Sequence, residues 1–236
     1  MTQGKDSIPF HPVGTIVTAF DRVLILETSG RVGEVALATG NTVFAEERLT
    51  EAHRRASDLA LVVDHLLRNR GWNARDLTGV VVGLGPGSYT GLRVGLASAK
   101  ALTYATGCQF FGVETFAAIA LRAPQQFTEV SVVADALQGK IFRRNYRRDG
   151  GLSPLTPLQI LSKDEWLNSL RPGMVVSGPA ASLFDVPSVI EVDRDPRPID
   201  LLKAVQTCPW AVYSDVWRAE PLYLRGSSAE EKVAAK

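Results

Sequence analysis

Residues 82–107 read VGLGPGSYTGLRVGLASAKALTYATG, and this stretch decides the fold. The apolar run from Val80 to Gly83 predicts a buried strand end, Gly85, Pro86 and Gly87 a turn, and Gly91 to Thr106 a helix. Ser88 and Thr90 stand where side-chain oxygens accept the orphan N–H groups of a helix start. Gly107 stands where a helix end takes a left-handed residue. Along the helix the charged residues are Arg93 and Lys100, and Gly95, Ala97, Ser98, Ala99 and Ala101 are small. A helix apolar nearly all round is buried on more than one side. The expectation is a central core helix that also offers one face to a neighbour.

The turn also invites a phosphate, because free N–H groups and a helix N-terminus favour anions. Gly85, Gly87 and Ser88 are therefore nucleotide-cleft candidates. Neither G-x-x-x-x-G-K-[ST] nor G-x-G-x-x-G is present.

Outward from this stretch, 236 residues allow one domain or two small ones. With 45% hydrophobic and 22% charged residues and a net charge of +1, the chain reads as soluble and globular, without a global case for nucleic-acid binding. Cys108 and Cys208 form no metal or redox motif, which suits a reducing, cytoplasmic setting. No run approaches the roughly 18 apolar residues of a membrane span. Residues 1–20 read as a flexible extension and 226–236 as a flexible tail.

Strands are expected at Arg22–Glu27, Val32–Ala38 and Val43–Leu49, then a helix from about Glu51 to Arg70 and a strand at Leu77–Gly83. After the small-residue helix come a strand at Phe110–Val113 and a helix from Thr115 to Leu121. The pattern restarts with strands at Val130–Ala134, Ile141–Arg148 and Leu155–Leu161, a helix at Lys163–Leu170 capped by Ser162, and a strand at Met174–Ser177. Helices at Ile199–Thr207 and Trp210–Arg218 follow. Two similar α/β halves, 21–123 and 124–225, leave a cleft between them, with the acidic strand ends Glu27 and Asp135 facing it. Asp135 could orient a metal or phosphate there, or cap the turn at Ala136–Gly139.

GLGPGSYTGLRVGLASAKAL followed by GVETFAAIA, with VLILETSGRVGEVAL before, ADALQGKIF in the middle and EPLYLRG near the end, resembles the bacterial TsaB (YeaZ) family. The resemblance runs from about Val23 to Arg225. It implies an actin-like ATPase (ASKHA) fold of two duplicated α/β lobes with mixed sheets. It implies a non-catalytic subunit supporting a TsaD-type paralogue, which transfers threonylcarbamoyl to adenosine 37 of tRNA. A TsaE-type ATPase joins the assembled complex, tRNA is met through that complex, and the chain alone is expected to form a homodimer. The family pairs through its first two helices, here Ala52–Arg70 and Gly91–Thr106. Leu59, Val63, Leu92, Arg93, Leu96, Ala99, Lys100 and Thr103 are the expected interface residues.

The paralogue holds a metal with two histidines four apart on a helix; the matching positions here are Thr115 and Ile119. His11, His53 and His65 show no usable spacing, so no metal and no catalytic residue is expected. The family's first strand ends Asp-Thr-Ser, whereas this one ends Glu27-Thr28-Ser29. A hydrated Mg²⁺ tolerates little geometric slack, so the extra methylene speaks against ATP hydrolysis. Glu27, Ser29, Asp135 and Gly178 complete the cleft candidates for a weakly held ATP or ADP. The alternative reading is an enzyme on the same fold, an ATP-dependent phosphotransferase or a metallopeptidase.

KIFRRNYRR, Lys140–Arg148, is the most basic stretch. It reads either as a tRNA backbone contact or, preferentially, as an exposed strand whose arginines protect an edge. Trp166, Trp210 and Trp217 at helical spacing read as core.

Overall fold

The structure, a computed structural model, describes residues 20–49, 56–171, 174–181 and 195–224. Expectations for residues 1–19, the first turn of the 51–70 helix with His53, and the tail lie outside these. Phe20, assigned above to the extension, is a core residue packed edge-on against Phe111, centroids 5.4 Å apart.

Three apolar segments, β1 (Val23–Glu27), β2 (Gly33–Thr39) and β3 (Thr42–Leu49), form an antiparallel meander. The helix α1 (Ala56–Asn69) returns the chain so that β4 (Gly79–Gly83) lies parallel to β1. The next helix, α2 (Tyr89–Thr106), starts two residues before Gly91. Its cap is Ser88, whose Oγ accepts from the Gly91 N–H at 3.2 Å, and Gly107 closes it with φ +73°. β5 (Gln109–Val113) adds beside β4, and α3 (Thr115–Leu121) follows.

The arrangement then recurs. β6 (Glu129–Asp135) pairs with β7 (Lys140–Arg148), which pairs on its other side with β8 (Leu152–Pro154) and β9 (Gln159–Ser162). Where a strand over Leu155–Leu161 is expected, the ladder resumes only at Gln159 in β9, past Pro157, which cannot donate to it, while β8 lies before Leu155. After α4 (Lys163–Ser169), β10 (Val175–Ser177) lies parallel to β6 as β4 does to β1. α5 (Pro198–Thr207) and β11 (Val212–Tyr213) finish the chain back on the first sheet. The sheet orders are β11-β5-β4-β1-β2-β3 and β10-β6-β7-β8.

The helix expected over Trp210–Arg218 is absent. Val212 and Tyr213 instead pair with Val113 and Gly112 at the open edge of β5, after a 3₁₀ turn at Pro209–Ala211. Edge pairing overrides the helical spacing of the tryptophans.

The layers follow from burial. Leu59, Val63, Leu66 and Leu67 of α1 and Leu96 and Ala99 of α2 pack with Leu24, Leu26, Val80 and Val82 on one face of the first sheet. On its other face Ala118 of α3 meets Leu201 and Val205 of α5. Phe116, Ile119 and Ala120 of α3 turn to the second sheet and meet Val130, Val132 and Tyr146. α3 is thus sandwiched between the sheets, and Trp166 of α4 fills the second sheet's far face.

Candidate functional site

The chain passes from β1 to β2 through Thr28–Ser29, and the glycine-rich turn closes over it. Ser88 donates its N–H to the Ser29 carbonyl at 2.8 Å, and Thr28 Oγ1 donates to the Gly91 carbonyl at 2.8 Å. A Cβ added at Gly87 would collide with the Ser29 carbonyl, at Gly91 with the Thr28 carbonyl, and at Gly95 with Thr28 Oγ1. Backbone approach explains these glycines. The amides of Gly85, Ser88 and Gly91 are engaged within the protein, by Thr115 Oγ1, the Ser29 carbonyl and Ser88 Oγ. The inner side of the turn is filled by Thr28–Ser29.

Glu27 lies fully buried at the end of β1. Its Oε1 accepts from the Ser29 N–H at 2.6 Å, and its Oε2 stands 3.4 Å from Thr115 Oγ1. Burial pushes its carboxyl up to about 7, against the lowering effect of those hydrogen bonds. A group so enclosed serves the β1–β4–α3 junction. Glu27, Ser29, Gly85, Gly87 and Ser88 therefore come together as a packing centre.

Asp135 and Gly178 sit in the second sheet. Asp135 Oδ1 accepts from the Leu137 N–H at 2.7 Å, capping the turn in which Leu137, Gln138 and Gly139 all have positive φ. Gly178, φ +105°, ends β10 where any Cβ would collide with the Val133 carbonyl. A cavity of ≈ 210 Å³ lies where the β1–β2 turn meets the start of α2 and the flank of α1, and Thr28, Arg31, Leu59, Ser88, Thr90 and Gly91 are among the residues that line it; of the cleft candidates it includes Ser88.

The basic stretch corrects the sequence reading, for β7 is an interior strand and its arginines are not an exposed edge guard. Arg144 Nη1 pairs with Glu114 Oε2, and Tyr146 Oη donates to Glu114 Oε1. Arg148 caps α3, donating to the carbonyls of Ala123 at 2.7 Å and Ala120 at 2.9 Å. Arg143 is buried and donates to Ser169 Oγ at 3.1 Å. Arg147 faces solvent across from Glu129 at 3.5 Å. These tie the second sheet to α3 and α4.

The expected interface list also needs correcting. Leu59, Val63, Leu92, Leu96 and Ala99 are buried in the chain's own core, because on a helix apolar all round the larger side chains turn to the sheet. Arg93, Ala97, Ala101 and Tyr104 form the exposed stripe of α2, with Lys100 and Thr103 half-buried at its flank. Tyr223 stacks near Tyr89, centroids 4.8 Å apart, with the Arg93 guanidinium 4.1 Å from the Tyr89 ring. Trp166 is core and Trp210 half-buried, but Trp217 is exposed. The sequence reading gave Thr28 and Glu114 no role in the site and placed the exposed Trp217 in the core. Thr28 alone had a signal in the sequence, the small residues Gly91 and Gly95 that α2 sets against it from 63 and 67 residues away.

His65 Nδ1 meets Glu47 Oε2 at 3.2 Å on the surface, and Thr115 and Ile119 are buried. Among the described residues no group of three or more His, Cys, Asp or Glu could hold a metal, and no helix is long and apolar enough to cross a membrane.

Comparison with known proteins agrees with the sequence motifs. The family described as TsaD, tRNA N6-adenosine threonylcarbamoyltransferase, matches residues 24–183. The chain is 30% identical over 151 residues to the tRNA threonylcarbamoyladenosine biosynthesis protein TsaB of Bacillus subtilis, covering 63% of this chain and 66% of that one. It is 31% identical over 130 residues to the Escherichia coli protein of the same name, covering 54% of this chain and 56% of that one. The match thus spans just under two thirds and just over half of those relatives. An uncharacterized Mycobacterium tuberculosis protein, Rv3421c, is 33% identical over 190 residues, 80% of this chain and 83% of its own. The solved structure of YeaZ from Pseudomonas aeruginosa superposes with a TM-score of 0.69 at 22% identity, over 86% of this chain and all of that one. The shared motifs, the matched family and the common fold place this chain in the TsaB (YeaZ) family, within the TsaD-related glycoprotease-like superfamily.

Proposed function

We propose that this chain is the non-catalytic partner subunit in threonylcarbamoyladenosine synthesis on tRNA. It supports a TsaD-type threonylcarbamoyltransferase, with a TsaE-type ATPase and tRNA engaged through the assembled complex in the cytoplasm. The scaffold is an actin-like, ASKHA-type pair of lobes, a reading supported by the recurring strand order of the two sheets. The role requires no ATP or ADP of this chain, and any nucleotide held in its cleft would be held weakly. The observation that carries the proposal is the division of α2: one side lies in the core while Arg93, Ala97, Ala101 and Tyr104 are left uncovered. Two alanines there let a second helix approach closely, and a partner that prefers the transferase's competent state would stabilise it. Without that partner, self-association would cover the same face.

Co-purification with the paralogue of the same genome tests this, comparing the wild type with the double variant Ala97→Arg, Ala101→Arg. Loss of the complex with an unchanged melting temperature is the expected result; an intact complex would overturn the proposal. Added ATP and Mg²⁺ should give no phosphate release from the isolated chain, and sustained release would favour the enzyme reading instead.

A further inference from the structure

Arg143 is 7% exposed, and among the described residues no carboxylate pairs with it. The other arginines of β7 are answered: Arg144 meets Glu114, Arg147 meets Glu129, and Arg148 donates to the carbonyls at the end of α3. Arg143 makes one hydrogen bond, from Nη2 to Ser169 Oγ at 3.1 Å, and its buried Nε has no partner. Burial without a counter-charge pushes its guanidinium below the ordinary arginine value. A lone charge taken out of water is costly, and proteins normally pair it.

Its surroundings are polar on a face that is otherwise core. Ile141, two residues earlier on β7, packs with Trp166 of α4, so this side of the strand looks toward that helix. Asn145 follows Arg143 by two residues, about 7 Å along the strand, and its buried Oδ1 is also without a partner. Opposite Asn145 on β6 stands Ser131, whose Oγ accepts from the Trp166 indole N–H at 3.4 Å. Ser169, the last residue of α4, donates its hydroxyl to the Trp166 carbonyl at 2.7 Å and so accepts from Arg143. The C-terminal end of a helix supplies at most about half a negative charge. The acids of α4, Asp164 and Glu165, stand in its first turn at the other end, where Glu165 is engaged by Ser162.

Two orphaned polar atoms on one buried face mark a place for a small guest. A water would satisfy the hydrogen bonds and leave the charge. An anion answers the charge as well: Nε donates to it from one side, and turning the Asn145 amide by 180° exchanges its carbonyl for an N–H donor. One guanidinium balances one negative charge, whereas a sulfate or phosphate dianion would bring a second charge with nothing to meet it.

We propose that the space beneath α4, between Arg143, Asn145 and Ser169, is a binding site for a small monovalent anion, chloride in the first place, which holds α4 against the second sheet. The site stands apart from the partner role proposed above, since it lies on the face of that sheet turned away from α3. The test melts the full chain at constant ionic strength while sodium methanesulfonate is replaced stepwise by sodium chloride. The melting temperature should rise and saturate, by about 3 °C once chloride reaches about ten times its dissociation constant. Arg143→Met, which keeps the reach of the side chain and removes its charge, should abolish the rise. Wild-type crystals soaked in sodium bromide should show an anomalous bromide peak within hydrogen-bonding distance of Arg143 Nε, and this decides the matter if Arg143→Met fails to fold. A chloride-dependent rise that survives in Arg143→Met overturns the site, as does the absence of bromide at Arg143. A bromide peak with no anion dependence of the wild-type melting temperature marks an adventitious ion only and overturns it equally.

Discussion

Tyr146 and Glu114 meet across the seam between the two sheets, the phenol of β7 donating to the carboxylate that precedes α3, while Arg144 takes the second oxygen. All three are buried or nearly so. Burial pushes the Glu114 carboxyl up, and Arg144 and Tyr146 pull it back. Removing Arg144 leaves an uncompensated buried carboxylate, so Arg144→Met should cost about 3–5 kcal/mol at pH 8. Tyr146→Phe removes one hydrogen bond to a charged group and should cost about 1.5–3 kcal/mol. The Arg144→Met loss should shrink at pH 5, where Glu114 can protonate. Urea unfolding at the two pH values measures both, and a small, pH-independent loss for Arg144→Met would refute the clasp.

Glu27 gives a second pH effect. Its carboxyl titrates at about 7 when folded against 4.5 ordinarily, so between these values the folded state holds the extra proton. Its stabilising contribution is complete below about pH 4.5 and is lost as pH rises through about 7, a span of about 3 kcal/mol. Glu27→Gln mimics the neutral acid and should be more stable than the wild type at pH 8 and equal at pH 4.5. Glu34, paired with Glu27 across β1–β2, is also raised to about 7, by burial first and by Glu46 next. Part of the wild-type slope should therefore survive the substitution. A Glu27→Gln curve parallel to the wild type would sink the assignment.

The two sides of α2 should separate by mutation. Leu96 is 6% exposed, so Leu96→Glu buries an unpaired carboxylate and should cost at least about 3 kcal/mol. Ala97→Arg adds a side chain to an exposed position and should change stability by no more than about 0.5 kcal/mol. Thermal melts of the isolated chain read this difference, and equal melting temperatures would mean that the inward side has been misplaced.

Ser88, Gly107 and the Ser162 cap were legible in the sequence because capping is chemistry within one helical turn. The same holds for the strand ending in Glu27, flanked by its own turn. What escaped depends on distant partners. KIFRRNYRR looks like a surface because the groups that neutralise or receive its arginines, Glu114 and the α3 carbonyls, stand 25 to 30 residues earlier. The facing of α2 escaped because an all-apolar helix has no periodicity to read. Trp217 escaped because its helical spacing from Trp210 presumed a helix that the open edge of β5 prevented.

The glycines of α2 allow a last prediction that opposes intrinsic propensity to packing. Alanine at a helical glycine ordinarily gains about 1 kcal/mol. At Gly91 and Gly95, however, the added methyl would run into the Thr28 carbonyl and Thr28 Oγ1, and Thr28 is held between β1 and the Gly91 carbonyl. Overpacking against a fixed strand end costs on the order of 3 kcal/mol, so Gly91→Ala and Gly95→Ala should each lower stability despite the propensity gain. Gly107→Ala meets no atom within 4 Å and should cost only about 1 kcal/mol, through its φ of +73°. Replacing Thr28 by Ser removes its methyl but keeps the Oγ1 that meets Gly95, so it should not rescue Gly95→Ala, whereas Thr28→Gly should recover part of the loss. Additive losses in the Thr28→Gly, Gly95→Ala double variant would show that the contact between β1 and α2 is not what requires glycine there.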